Sequence, residues 1–263
     1  MVNKPLIGVA ALIFVMAAAG VYYLKTRNAP LPAAPLAPAS EPSASEPAIA
    51  HPLPGAGAGA SEGPLPDLGS SDAPLRDALA QLAGADAVKS YVAPEDVIRR
   101  IVVTIDNLPR QKVAVDKRPA TAVEGSFAAN GDELHATLDQ RNFERYKPLV
   151  AVIGKLDMQQ LGAVYIRFYP LFQQAYQNLG YPNGYFNDRL VEVIDAMLAT
   201  PEPKGPVQLV RPNVMYLYAD PALETRPAGQ KLLIRMGPEN TQIIKAKLTE
   251  LRAVVTAGTL KHP

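Results

Sequence analysis

Asp188, Glu192 and Asp195 stand at i, i+4 and i+7, so a helix through them carries three carboxylates on one face. A pair of carboxylates is enough for glycoside hydrolysis, and Glu224 is a fourth acid that a fold could bring to such a pair. On a helical wheel the three acids point away from Leu190, Val191, Ile194, Met197 and Leu198. A solvated face is therefore their plainer account. Binding chemistry has a different candidate in Tyr181, Tyr185 and Phe186, which sit on or beside the turn Tyr181-Pro182-Asn183-Gly184-Tyr185-Phe186. Aromatics at a turn are less needed for packing, and loops carry binding more often than scaffolds do. Upstream, Tyr165, Phe168, Tyr169, Phe172 and Tyr176 share about a third of a helical wheel. They could form a stacking platform, but core filling explains them with less.

Other chemistries lack their residues. The 263-residue chain has no Cys, which removes thiolate nucleophiles, disulfides, Cys-ligated zinc and iron–sulfur clusters. Of its three His, only His135 falls in the region of globular composition, so neither a His-rich metal site nor a Ser/His/Asp arrangement has support. No glycine-rich phosphate loop occurs. No metal and no cofactor are expected. The net charge of +1 gives no electrostatic footprint for nucleic acid, and no nucleic-acid partner is expected. The basic residues Arg99, Arg100, Arg110, Lys112, Lys117 and Arg118 thicken locally, diluted by Asp106 and Asp116, as in a solvated loop.

The elements that must position these residues begin after two other regions. Residues 1–4 form a short tail, and Pro5 to Leu24 form a charge-free run of twenty residues that spans about 30 Å as a helix, a bilayer's core thickness. Lys4, Lys25 and Arg27 flank it, and Tyr22 and Tyr23 stand where an interfacial belt would place them. The run reads as a transmembrane helix rather than a cleaved signal, because it continues past the small residues Ala17-Ala18-Ala19. The flanking charges nearly tie, so they do not orient it.

Residues 25–70 read as a disordered Pro/Ala-rich linker: from Ala29 to Ser70 there are ten Pro, eleven Ala and no Lys or Arg. Such a stretch is expected to add nothing to a core and reaches at most roughly 130 Å. Residues 71–257 read as a single globular domain, and 258–263 as a tail.

The domain's pattern predicts a fold that is mainly α with a minor β component. Helices are expected from Asp72 to Gly84, from Pro94 to Leu108, and from Asp139 with a bend or restart at Pro148. Asp157 with Gln160 makes a capping box for the longest helix, and another runs from the 182–184 turn to about Ala199. Asp220-Pro221, Pro227 and Pro238 each open a helix. The β component is a short hairpin near 119–138, turning at Asn130-Gly131, with extended pieces near 206–218.

The segments RYKPLV (145–150), YPLFQQAYQNLGYPNGYFNDRLVEVIDAMLATP (169–201), ADPALE (219–224) and QKLLIRMGPEN (230–240) resemble a bacterial family, the domain-of-unknown-function family 3014. The resemblance covers roughly residues 75–255. It implies an N-terminal membrane segment, a Pro/Ala-rich linker and then this domain, and brings no activity, ligand or catalytic residue with it.

The expectation drawn from these observations is a single-pass protein of the bacterial inner membrane. It meets the lipid bilayer through residues 5–24 and holds a non-enzymatic binding or scaffolding domain in the periplasm, against an envelope-protein or cell-wall partner. Two alternatives stand beside it: a carboxylate-dependent cell-wall hydrolase using Asp188, Glu192, Asp195 or Glu224, and a cytoplasm-facing membrane adaptor.

Overall fold

The computed structural model describes residues 48–54, 64–111, 119–120, 123, 125–132, 135–212 and 215–260. The proposed transmembrane run, Leu134, Lys112, Lys117, Arg118 and His262 lie outside them. A single 3-10 turn, Leu68–Ser70, leads into α1 (Asp72–Ala83), α2 (Ala85–Tyr91) and α3 (Val97–Asn107). The short strands β1 (Ala129–Asn130) and β2 (Ala136–Leu138) precede α4 (Arg141–Gly154), α5 (Met158–Asn178) and α6 (Phe186–Leu198). Strands β3 (Gln208–Val210) and β4 (Leu217–Tyr218) then lead to α7 (Pro221–Glu224), α8 (Ala228–Met236) and α9 (Pro238–Val255), which ends in a 3-10 turn over Ala257–Leu260. The fold is mainly helical with a small antiparallel sheet.

Helix α5 forms the spine. Its N-terminus is capped by Asp157, whose carboxylate accepts from the Gln159 and Gln160 amides at 2.8 and 3.3 Å, a cap of about 1 kcal/mol. Gln160 turns back as the capping box predicts, but it bonds the Asp157 side chain rather than its backbone. Its apolar face buries Leu161, Tyr165, Phe168, Phe172 and Tyr176, so the aromatic stripe is core apart from the half-exposed Tyr169. Helices α1, α3, α6 and α9 all pack on α5, and α9 also meets α4, α6 and α8. Val97, Ile98, Ile101, Val102, Ile105 and Leu108 of the α3 region are all buried at the 3.6-residue period that distinguishes them from a strand.

Several local expectations are corrected. Helix α2 follows Gly84 directly, because that glycine's φ of 83° turns the chain without a loop. Helix α3 starts after Asp96, whose amide and that of Val97 are both held at 2.8 Å by the Asp72 carboxylate. Helix α4 runs unbroken through Pro148, and the break falls at 155–157, where α5 departs at 81°. Asn130 is a strand residue paired with Thr137 rather than half of a tight turn, so the hairpin loop is longer than the sequence predicts. The hairpin and the 206–218 pieces form one sheet, ordered β1-β2-β3-β4, with Leu209 facing Ala136 on one side and Tyr218 on the other. The side-chain amide of Asn142, 1% exposed, pairs with both backbone groups of Ala128 and fixes this sheet to α4.

The linker expectation is corrected too. Leu53 and Leu68 are buried in the helical core, and Leu65 packs against it, so the domain takes in apolar residues from a stretch whose composition predicts none. Gly258, expected in the tail, packs against Pro52 and Leu53. Among the described residues no single helix is long and apolar enough to cross a membrane.

Candidate functional site

The C-terminal ends of α3 and α5 and the N-terminal half of α6 converge on a cleft of about 330 Å³, lined by Asp106, Tyr176, Tyr181, Tyr185, Asp188, Arg189 and Glu192. Its floor is Asp106, a carboxylate 3% exposed at the end of the largely apolar buried face of α3. A buried charge must be paired, and this one is paired twice. Arg110 reaches it at 2.6 Å, and Arg189 reaches it at 3.1 Å while donating to the Asp106 carbonyl at 2.8 Å. The guanidiniums also suit a helix C-terminus, where the carbonyl dipoles concentrate negative potential.

The aromatic wall is built by the 181–185 loop. Tyr181 stacks on Tyr176, ring centroids 4.6 Å apart and planes 18° from parallel. Its hydroxyl donates to Asp106 at 3.3 Å and accepts from Arg110 at 3.0 Å. Gly184 makes the stack feasible, since a Cβ there would come within 2.9 Å of the Tyr176 ring. The loop is fastened to α5 by Gln173, whose side chain donates to the Gly184 carbonyl at 2.7 Å and accepts from the Phe186 amide at 2.9 Å. Burial pushes the Tyr176 hydroxyl pKa up, with the Arg189 charge opposing it. For Arg189, burial alone would lower the pKa, but the hydrogen bond and charge of Glu192 and the charge of Asp106 outweigh it and hold the guanidinium protonated.

The structure sorts the residues picked out by type and spacing. Tyr181, Tyr185, Asp188 and Glu192 meet in the cleft. Phe186 does not: it is fully buried and stacked on Phe172 at 5.6 Å, so it is a core residue and no surface for a partner. As the first residue of α6 it falls in helical register with Leu190 and Val193, and that period turns it inward.

Asp195 lies outside the cleft in a two-bond pair with Arg252, at 2.6 and 3.0 Å. Glu224 is at the sheet, where it accepts from Lys231 at 3.0 Å and from the Tyr218 amide at 2.9 Å. Asp188 divides its carboxylate between the Ala50 and His51 amides, at 3.1 and 2.7 Å. His135 is exposed beside Asp132. Arg99 pairs with Asp96, and Arg100 donates to the Glu95 carbonyl.

Asp106 and Arg189 are the site residues that type and spacing leave unmarked, whereas Tyr176 belongs to the aromatic stripe picked out by its spacing. For Asp106 a signal exists: it lies at i+4 from Val102, on the apolar face of α3, where a lone acid needs a partner from elsewhere. A family model described as a protein of unknown function (DUF3014) matches residues 97–252. The chain belongs to the DUF3014 family. All seven cleft residues of this DUF3014 domain lie inside the matched span, whereas α1, α2 and the docked 48–54 segment lie outside it. No curated protein and no solved structure matches the chain. Among the described residues no group of three or more His, Cys, Asp or Glu could hold a metal ion.

Proposed function

We propose that this DUF3014 protein is a single-pass, membrane-tethered binding or scaffolding protein of the bacterial cell envelope, with the cleft as its binding site. The carrying observation is the cleft's lining: three tyrosines and three carboxylates to one arginine, open at the rim and closed by ion pairs at the floor. Tyrosine faces beside the exposed carboxylate of Glu192, which shares its charge with Arg189 at 2.7 Å, attract a cationic side chain presented by a partner polypeptide. The charge-free run Pro5 to Leu24 supports the tether, and the 25–47 stretch supplies its reach.

The carboxylate-hydrolase alternative has less support. Only Asp188 and Glu192 of its four acids share the cleft, and both Asp188 oxygens already accept backbone amides. The cytoplasm-facing adaptor would use the same cleft from the other side of the membrane.

Two experiments test the proposal. Alkaline phosphatase fused after Pro263 should be active and a cytoplasm-only fluorescent protein at the same position dark; the reverse pattern refutes the periplasmic placement. In the full-length protein, replacing Tyr181 and Tyr185 by Ala should abolish crosslinked partner capture while leaving circular dichroism unchanged. Undiminished capture with an intact fold removes the cleft from the account.

A further inference from the structure

The segment Ala50–Pro54, bent at Ala50 and His51, lies in a groove against the first turn of α6 and Gly258. Two successive amides, Ala50 and His51, donate to the two oxygens of Asp188 at 3.1 and 2.7 Å. The next polar group, the His51 carbonyl, accepts from the Asn187 side chain at 2.7 Å. Asn187 is 1% exposed and fully committed, since it also donates to the Val255 carbonyl at 3.0 Å and accepts from the Tyr165 hydroxyl at 3.2 Å. Burial pushes that tyrosine's pKa well up, which keeps the donor protonated. Leu53 then drops into the core at 7% exposure. Gly258 floors the groove: a Cβ there would strike the Pro52 carbonyl oxygen and come within 2.9 Å of both the Leu53 carbonyl carbon and the Pro54 nitrogen.

These contacts define what the groove reads. It recognises backbone amides and a carbonyl, then one leucine between prolines that bring no amide needing a partner. The flanking prolines each have φ fixed by the ring, so docking costs less chain entropy. The His51 ring adds no hydrogen bond through its Nδ1, which is buried without a partner among the described residues. The same Pro-Leu-Pro pattern occurs in this chain at 30–32, 52–54 and 64–66. Leu65 of the third copy also packs on the core.

We infer that the groove beside the first turn of α6 is a receptor site for Pro-Leu-Pro segments, with the chain's own linker as resident occupant. The site also accepts the motif from the linker of a second copy. Residues 28–32, Asn-Ala-Pro-Leu-Pro, carry both amides, the carbonyl and the leucine in the same order, and place alanine where His51 leaves its nitrogen unsatisfied. The inference does not depend on the cleft's partner, because the groove takes only Asp188 from the cleft.

The test uses the full-length protein in detergent and two labelled peptides, residues 48–54 and residues 28–34, each paired with a version carrying Ser for Leu. In the wild-type chain the resident segment competes at an effective concentration of order millimolar, so Leu53→Ser should raise the affinity for both leucine peptides roughly tenfold or more. The serine peptides should not bind. Adding Gly258→Val, which fills the groove without touching the cleft, should cancel the gain. No saturable binding to a Leu53→Ser chain with a wild-type melt overturns the inference, and so does equal binding of the serine peptides. Hydrogen exchange on the wild-type chain covers the case in which Leu53→Ser does not fold. The Ala50 and His51 amides should be protected and should lose protection when excess 48–54 peptide is added; amides that exchange freely without peptide, or stay protected with it, contradict the inference.

Discussion

Two clusters of the domain, one at the cleft and one at the sheet, each join an acid, a base and a tyrosine in close association and do different things with them. At the cleft a carboxylate (Asp106), guanidiniums (Arg110, Arg189) and a tyrosine (Tyr181) meet with one arginine 54% exposed and the tyrosine forming a wall. At the sheet Glu224, Lys231 and Tyr218 meet with the tyrosine 3% exposed, its hydroxyl donating to the Lys231 carbonyl at 2.9 Å and its amide held by Glu224. There Arg235 lies over the Tyr218 ring at 5.5 Å and covers one face. Composition does not separate a site from a scaffold. What separates them is exposure: the cluster at the sheet ties β4 to α8 with Lys231 13% and Glu224 25% exposed, whereas the cleft cluster closes at its floor and leaves tyrosine faces at the rim beside Glu192, 62% exposed though paired with Arg189 at 2.7 Å.

That difference breaks most sharply at Tyr218. Tyr218→Ala removes the largest buried side chain of a five-residue satellite core and should cost about 4 kcal/mol, read as a lowered melting temperature. Partner capture at the cleft should survive wherever the protein stays folded. Asp106→Ala should come next, costing about 3 kcal/mol because it strips a partner from the mostly buried Arg189. Unlike the first variant, it should also abolish capture. If the two variants affected capture equally, the two clusters would not differ in kind.

A smaller effect sharpens the comparison through pH. Burial, opposed by Arg235, pushes the Tyr218 pKa up to about 12, while the unfolded tyrosine sits near its ordinary 10.0. The unfolded chain therefore releases this proton first, and stability falls as pH rises from about 10 to 12, by about 3 kcal/mol in all. Below that window the contribution is complete. Tyrosinate absorbance measured with thermal melts should show the loss, and Tyr218→Phe should make it shallower, the share of the buried Tyr165 remaining. A curve unchanged in that variant would assign the alkaline loss elsewhere.

The helices are legible in the sequence because their apolar residues recur at a 3.6-residue period and their ends carry Asp, Pro or Gly. The α3 set from Val97 to Leu108 is the clearest case. Strand pairing is not legible: Ala136 and Leu209 are separated by 73 positions, and nothing in either short piece specifies the partner. The cleft is half legible. Tyr181, Tyr185, Asp188 and Glu192 stand out by type and spacing, but Asp106 and Arg189 meet across 83 residues, and their pairing exists only once α3 and α6 pack. Phe186 misleads because its neighbours at the turn are tyrosines, although its register with Leu190 and Val193 already points inward. The docked segment at 48–54 is hidden for another reason: its recognition runs through backbone amides and a single leucine, which no composition reports.

The most direct test of the claim that the two clusters differ is site-specific photocrosslinking in the full-length protein within its native membrane. A photoreactive residue is placed at Tyr185 in the cleft or at Tyr216 near the sheet, and adducts are identified by mass spectrometry. We predict a defined polypeptide adduct at 185 that disappears when Glu192→Lys reverses the rim charge, and none at 216. Equal adducts at both positions, or a 185 adduct indifferent to Glu192, would contradict the assignment of the cleft as the binding site.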